Sequence, residues 1–357
     1  ELFVLGVRRA GRLCGVAPLF LMKDRYLGYP VTIAGFLGQG MSDYSDFIVG
    51  KGEDRDEVLG SIVRHLSARS GCWDVMDLRN FFGESGNVPA FRKCLDRMGW
   101  DQRLDPESFC RFVRIRGDWD SYYKSCYSGD HRKNHRKEWK RWISAAGGNV
   151  RFIESTEDPQ GLIEQLAEIE THHPMAGSGR PGFFCKNPFQ GFFGDFLRAA
   201  AQRGWLNVVL MEGDGLPVAF TLSFRHNGRF YLYLTSYRKE FQKFGIGRLT
   251  CLRMMERYWL SGEGEIDFLL GEEEYKEKWA PEGRRNLRIL ASHATPRSRA
   301  ARWLWGKCLP SVERRVPRVH RVLVASNEVG WTEVLKRISR RLGSRGKDGD
   351  SIPRTGE

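Results

Sequence analysis

The chain has 357 residues, 41% of them hydrophobic and 12% aromatic, with a formal net charge of +13 at pH 7. That apolar content excludes wholesale disorder, and the length favours two domains over one. The charge points to phosphates, nucleic acid or anionic lipid as partners without choosing among them.

The eight cysteines form no CxxC pair and no Cys/His ligand spacing, so the reading is reduced thiols in a cytoplasmic protein, with no metal. No run reaches the roughly 18 apolar residues of a membrane span, and no signal peptide is visible. The chain opens without Met inside a strand pattern (Leu2-Phe3-Val4-Leu5), which reads as an N-terminally incomplete first lobe.

In chain order, residues 2–7 and 13–22 alternate as strands about a turn at Arg9-Ala10-Gly11-Arg12. A glycine-rich loop (Gly35, Gly38, Gly40) leads to Asp43-Tyr44-Ser45-Asp46. Val58, Ile62, Val63 and Leu66 share a helical face, and 73–78 reads as a buried strand. A second unit begins near Ser108, with a strand over 109–115, a long helical stretch over 119–146 and a strand over 150–153. Helices over 162–172 and 189–202 follow, then a hairpin around Gly213-Asp214-Gly215 and a strand over 230–237. A helix over 248–260 and a strand over 265–270 complete the unit. In the basic helix, His135, Trp139, Trp142 and Ile143 recur at core spacing. The two halves share the order hairpin, loop, helix, strand and read as an internal repeat. The expected division is a first lobe over 1–107, a second over 108–295, and a tail over 296–357. That tail is basic and partly helical, then disordered from 340.

The most informative hexapeptide is Gln242-Lys243-Phe244-Gly245-Ile246-Gly247, between a strand and an amphipathic helix. A glycine turn at a helix start presents several backbone N–H groups, and the helix dipole adds positive potential there. Such a turn suits a diphosphate. Lys243 and Arg248 can add charge-assisted contacts. The third glycine of the dinucleotide fingerprint is missing, since the run reads G-x-G-x-x-T, and there is no Walker A run. Taken alone, the hexapeptide also fits an ordinary glycine-containing helix start.

The pattern Gln242-x-x-Gly245-x-Gly247 between strand and helix resembles the acyl-CoA pyrophosphate loop of the GNAT superfamily. The wider setting is similar to the CelD/BcsL-type acetyltransferases linked to exopolysaccharide and cellulose production. The likeness rests on Gly11-Arg12-Leu13 to Ala17-Pro18-Leu19, Asp43-Tyr44 with Asp46, and Arg132-Lys133-Asn134 with Arg136. It rests also on Asp267-Phe268, Gly271-Glu272, and Tyr275-Lys276 with Trp279. It covers residues 2–290 and extends to the FemAB peptidyltransferases, which share a tandem-lobe design. The implied fold is α/β (α+β), with tandem GNAT-like lobes, each a mixed twisted sheet flanked by helices.

The implied activity is transfer of an acyl group, acetyl in the first instance, from acetyl-CoA or another acyl-CoA to an amine or hydroxyl. A sugar, amino sugar or small metabolite would be the acceptor, attacking directly in a ternary complex. The resemblance implies a cofactor loop of Gln242, Lys243, Gly245, Ile246, Gly247 and Arg248. Polarising N–H groups would come from the strand 230–237. Glu272, with Glu273 and Glu274 beside it, is the candidate base and Tyr275 the candidate acid. Asp43, Tyr44, Asp46, Arg132, Arg136, Tyr237, Lys276 and Trp279 are the candidate acceptor contacts. For each a structural role is the alternative: a solvated acidic cluster, a packed aromatic, a capped turn. The basic tail, with Trp303 and Trp305 among arginines at 297–321, is the candidate for peripheral contact with an anionic inner-membrane surface. Two other readings stay open: a FemAB-like transferase using charged tRNA and a cell-wall precursor, and a non-enzymatic RNA- or membrane-binding module.

Overall fold

A computed structural model of the chain describes residues 1–26, 29–174, 183–184, 189–262, 264–271 and 273–305. It divides into two compact units: residues 1–108 with the described residues from 285 onward, and residues 109–284. The segment 285–295, assigned from sequence to the second lobe, belongs to the first unit.

In chain order, β1 (Leu5–Arg9), β2 (Arg12–Ala17), β3 (Leu19–Tyr26), β4 (Tyr29–Phe36) and β5 (Ile48–Val49) precede α1 (Arg55–Ala68). β6 (Val75–Phe82) and α2 (Asn87–Arg97) follow, and β7 (Asp101–Arg114) crosses the unit boundary. The second unit continues with α3 (Trp119–Cys126), α4 (Gly129–Ala146), β8 (Asn149–Ile153), α5 (Pro159–Thr171) and α6 (Phe189–Gln202). Then come β9 (Leu206–Gly213), β10 (Leu216–His226), β11 (Arg229–Tyr237), α7 (Ile246–Leu260), β12 (Glu265–Leu270) and α8 (Glu274–Trp279). β13 (Glu282–Ser292) crosses back, and α9 (Pro296–Trp303) closes the described chain.

The first unit carries the strand order β3-β4-β6-β13 and a small sheet β1-β2-β5. β3 and β4 are antiparallel, and β4 runs parallel to β6 at Ile33–Val75 and Ala34–Met76, with α1 as the crossover. The segment 13–22, read as one strand, is two: Pro18 lacks an N–H and ends the β2 ladder, so β2 stays in the small sheet. β4, of which the sequence pattern assigns only Gly35, to a loop, carries the buried Val31, Ile33, Ala34 and Phe36. The core packs α1 and α2 on the sheet through Val58, Leu59, Ile62, Val63, Leu66, Phe91 and Leu95. The start of the tail is tied down: Arg297 pairs with Asp74 and Arg299 with Asp101.

The second unit carries the order β7-β12-β11-β10-β9-β8. The β9–β10 turn places Asp214 and Gly215 at positive φ (55° and 74°), the pair a tight hairpin requires. β11 pairs with β12 in parallel through Arg229–Tyr231 and Glu265–Asp267 only. Past Tyr231 the two strands have no further pairing, and a register shift opposite Leu222 and Ser223 leaves Tyr233 as an extra residue in β11. The long helical stretch is broken at Tyr127, which is extended, and Ser128 caps α4 by accepting from the His131 N–H. Of the positions expected to face the core, Trp142 and His135 are buried, whereas Ile143 is exposed. The structure has a mixed α/β architecture, each unit a mixed sheet flanked by helices.

Candidate active site

The chain leaves β11 through a 3-10 turn, Lys239–Phe244, and enters α7 at Gly245, whose φ of 66° is left-handed. Glycine adopts that conformation without Cβ strain. No side chain caps α7. Its first intrahelical bond runs from Leu249 N–H to Gly245 O (3.0 Å). The N–H groups of Ile246, Gly247 and Arg248 lie before it, at the positive end of the helix dipole. The side chains of Phe244, Ile246 and Leu249 are buried, so the turn is anchored from below while its backbone stays available.

A cavity of about 730 Å³ opens against this turn. Gln242, Lys243, Gly245, Ile246, Gly247 and Arg248 line it, together with Thr235 and Tyr237 from β11 and Cys251 from α7. Glu273, Glu274, Tyr275, Lys278 and Trp279 line it from the segment after β12, and Tyr127, His131, His135 and Glu138 from α4 and the residue before its cap. Gly247 permits a close approach of a different kind: a Cβ there would fall 2.8 Å from the Tyr237 ring.

The cavity therefore brings together the whole expected cofactor loop with Tyr237, Tyr275 and Trp279. Glu272 lies outside the described residues; its neighbours Glu273 and Glu274 line the cavity. Lys276, 5% exposed, turns its ammonium back to Leu270 O and Glu273 and is not among the lining residues. Arg132 donates to Tyr127 O, ahead of the α4 start, and Arg136 is exposed; neither lines the cavity. Asp43, Tyr44 and Asp46 belong to the first unit. There the Asp43 carbonyl accepts from Asn286, and Tyr44 meets the Phe82 ring edge-on at 5.3 Å. Asp46 accepts from the Phe47 N–H and from Asn87, and burial raises its pKa.

The electrostatics favour neutral groups along the cavity wall. Tyr275 is 36% exposed, and the burial of the rest of the side chain raises its pKa, so it holds its proton at physiological pH. The Cys251 thiol is pushed up to about 12 by burial, so it is no nucleophile at pH 7. His135 is 4% exposed, and its pKa falls to about 4, first through burial and then through the Arg248 charge. Its Nδ1 lies 2.6 Å from the Tyr123 hydroxyl. Burial raises the Tyr123 hydroxyl and lowers the His135 imidazole, so this bond joins a protonated phenol to a neutral ring, in either ring tautomer. Trp279 is stacked on Trp119 and Tyr123, and its carbonyl accepts from the Tyr122 hydroxyl. That wall is rigid.

Sequence reasoning missed Tyr127, His131, His135, Glu138, Thr235, Cys251 and Lys278 as lining residues. The signal was partly there: His131, His135 and Glu138 are spaced i, i+4, i+7 and so share a face of α4.

Residues 129–277, within the second unit, match the family model described as "Acetyltransferase (GNAT) domain". The structure is similar to that of FemX (TM-score 0.54, 12% identity, covering 81% of this chain and 87% of that one). It is also similar to the C-terminal DUF2156 domain of a putative lysylphosphatidylglycerol synthetase from Agrobacterium fabrum (TM-score 0.53, 13% identity, 87% and 88%). At such identities the likeness concerns the fold. No curated protein matches the sequence. Among the described residues no cluster of His, Cys, Asp or Glu could hold a metal ion, and no helix is long and apolar enough to cross a membrane.

Proposed function

We propose that the second unit transfers an acyl group, acetyl in the first instance, from acyl-CoA to an amine or hydroxyl acceptor such as a sugar, amino sugar or small metabolite. The observation that carries the reading is the uncapped start of α7, with Gly245 left-handed, facing a cavity of about 730 Å³. The diphosphate of the coenzyme would accept from the Ile246, Gly247 and Arg248 N–H groups. Its pantetheine arm would run toward the gap where β11 and β12 part.

In that gap the edge of β11 after Tyr231 offers N–H groups that β12 does not use. These would polarise the thioester carbonyl and hold the charge that develops on its oxygen. The acceptor lone pair attacks the carbonyl carbon, and its proton passes to a carboxylate of the acidic cluster Glu272, Glu273 and Glu274. As the C–S bond breaks, the Tyr275 hydroxyl, protonated at neutral pH as a phenol is, would give its proton to the leaving thiolate. The high pKa of Cys251 supports direct attack without an acyl-enzyme. Tyr237 and Trp279 would wall the acceptor side.

A coupled free-thiol assay across an acceptor panel tests this. Acyl-CoA turnover should appear with one acceptor class and vanish in Gly247→Trp, whose indole would fill the space against Tyr237. Undiminished turnover in that variant refutes the loop assignment. The exposed cations of α4, Lys133, Arg136, Lys137 and Lys140, keep a charged-tRNA donor as a second reading. Calorimetry with acetyl-CoA against charged tRNA separates the two.

A further inference from the structure

A second cavity, of about 490 Å³, adjoins the first and shares His131, His135, Glu138 and Arg248 with it. Its remaining lining is Asn134, Lys137 and Arg141. Those side chains come from one face of α4, since 134, 137 and 141 are spaced i, i+3, i+7. Three cations, Lys137, Arg141 and Arg248, stand there against the single carboxylate of Glu138. Arg248 is paired with Glu138, and Arg141 donates to Lys243 O. Lys137 has no hydrogen-bond or ion-pair partner among the described residues and is exposed.

Two of the three positive charges, Lys137 and Arg141, thus have no carboxylate partner among the described residues, and they sit beside the turn proposed to hold the diphosphate. The geometry points to a subsite for the phosphomonoester on the ribose of coenzyme A. That 3′-phosphate is only a ribose away from the diphosphate, so a ligand held at Ile246–Arg248 can place it in the adjoining cavity. A phosphomonoester carries up to two negative charges and three acceptor oxygens, which match an ammonium, a guanidinium and an amide N–H₂ from Asn134. The assignment rests on the acyl-CoA reading and adds what it leaves open: a preference for CoA over nucleotides lacking the ribose phosphate.

Calorimetric titration of the full chain with CoA and with 3′-dephospho-CoA tests it. CoA should bind about tenfold or more tightly than dephospho-CoA, with the gap widening at low salt. Lys137→Ala should bring CoA down toward the dephospho-CoA value and leave dephospho-CoA unchanged, and Lys137→Arg should retain the gap. Equal binding of the two nucleotides by the native chain, or an equal loss for both in Lys137→Ala, overturns the subsite while leaving the acyl-CoA reading intact. The same holds if Lys137→Ala weakens only tRNA binding. Failure of both nucleotides to bind overturns the two readings together.

Discussion

Glu138 on α4 and Arg248 in the first turn of α7 form an ion pair that brings a carboxylate to the place where the proposed ligand needs an anion of its own. The Glu138 Oε2 is buried without a hydrogen-bond partner among the described residues. A Cβ on Gly245 would fall 2.8 Å from it. In this arrangement the carboxylate competes with a diphosphate for Arg248 and for the positive end of the helix.

Glu138→Gln should therefore strengthen CoA binding, by about fivefold if the lost repulsion amounts to about 1 kcal/mol. Arg248→Ala should weaken it. With Arg248 47% exposed on its side chain, the pair contributes little to stability, and both variants should melt within a few degrees of the native chain. Calorimetry reads the sign directly; weaker CoA binding in Glu138→Gln would show that the carboxylate assists the ligand.

Gly245 and Gly247 should fail for different reasons. Gly245→Ala places a Cβ at a φ of 66° against the Glu138 carboxylate, and should cost about 1–2 kcal/mol of stability. Gly247→Ala has an ordinary backbone but presses on the Tyr237 ring. It should leave the melting temperature nearly unchanged and raise the KM for acyl-CoA about tenfold. A pair of melting curves with a pair of saturation curves separates the two. If both variants lose stability alike, the ring contact is structural.

Stability should fall as the pH drops from about 6.5 to 4. His135, lowered to about 4 by burial and by Arg248, binds a proton in the unfolded chain before it does in the folded one. The unfolded state thus gains protons over that window, and folding stability present above pH 6.5 is lost as pH falls toward 4. The groups facing the imidazole are Tyr123, Tyr127, His131, Glu138 and Arg248, with Glu138 the one that opposes the shift. The loss attributable to His135 is at most about 3 kcal/mol. His173 and His293 are lowered by burial in the same direction. Denaturant curves at pH 7 and 5 should show a smaller loss in His135→Gln than in the native chain; an identical loss would mean the imidazole already carries its proton.

Much of this was legible because it is local. A glycine turn between a strand and a helix writes its own chemistry into six residues, and Gln242 to Gly247 could be read without neighbours. The α4 contribution is a matter of convergence: His135 and Glu138 lie over a hundred residues before the loop they face. His135 has core spacing and is buried as that spacing requires, yet it borders the cavity, and periodicity cannot tell a core face from a pocket wall. Lys276 has the opposite lesson. A cation just past a strand end reads as a ligand contact, but its flexible stem folds back to cap Leu270 O and pair with Glu273. β4 was hidden because Pro30 and Gly35 interrupt its apolar pattern.

Cysteine labelling should discriminate sharply between thiols. Cys251 lines the cavity but is 7% exposed and pushed up to about 12. Its thiolate fraction at pH 7.5 is negligible, so a disulfide reagent should modify the exposed Cys72 well before Cys251, which should react only on unfolding. Intact-mass measurement after mixing with acetyl-CoA should show no acetyl group on Cys251. A stable thioester there would replace direct attack with a two-step mechanism.

The two units differ at the helix start that matters, and this sets the number of ligands the chain can hold. In the first unit α1 crosses between the parallel strands β4 and β6, as α7 does between β11 and β12. Yet α1 is capped by Asp54, whose carboxylate accepts from the Glu57 N–H (3.1 Å), and its first turn adds Asp56 and Glu57. Carboxylates there satisfy the dipole internally and repel a diphosphate. Past the paired residues of β4 and β6, Phe36, Phe47 and Phe81 pack edge-to-face and are fully buried. The chain should therefore bind one CoA, at α7, and Gly247→Trp alone should abolish binding. A stoichiometry of two, or a residual site in Gly247→Trp, would mean that the capped helix of the first unit still accepts the coenzyme.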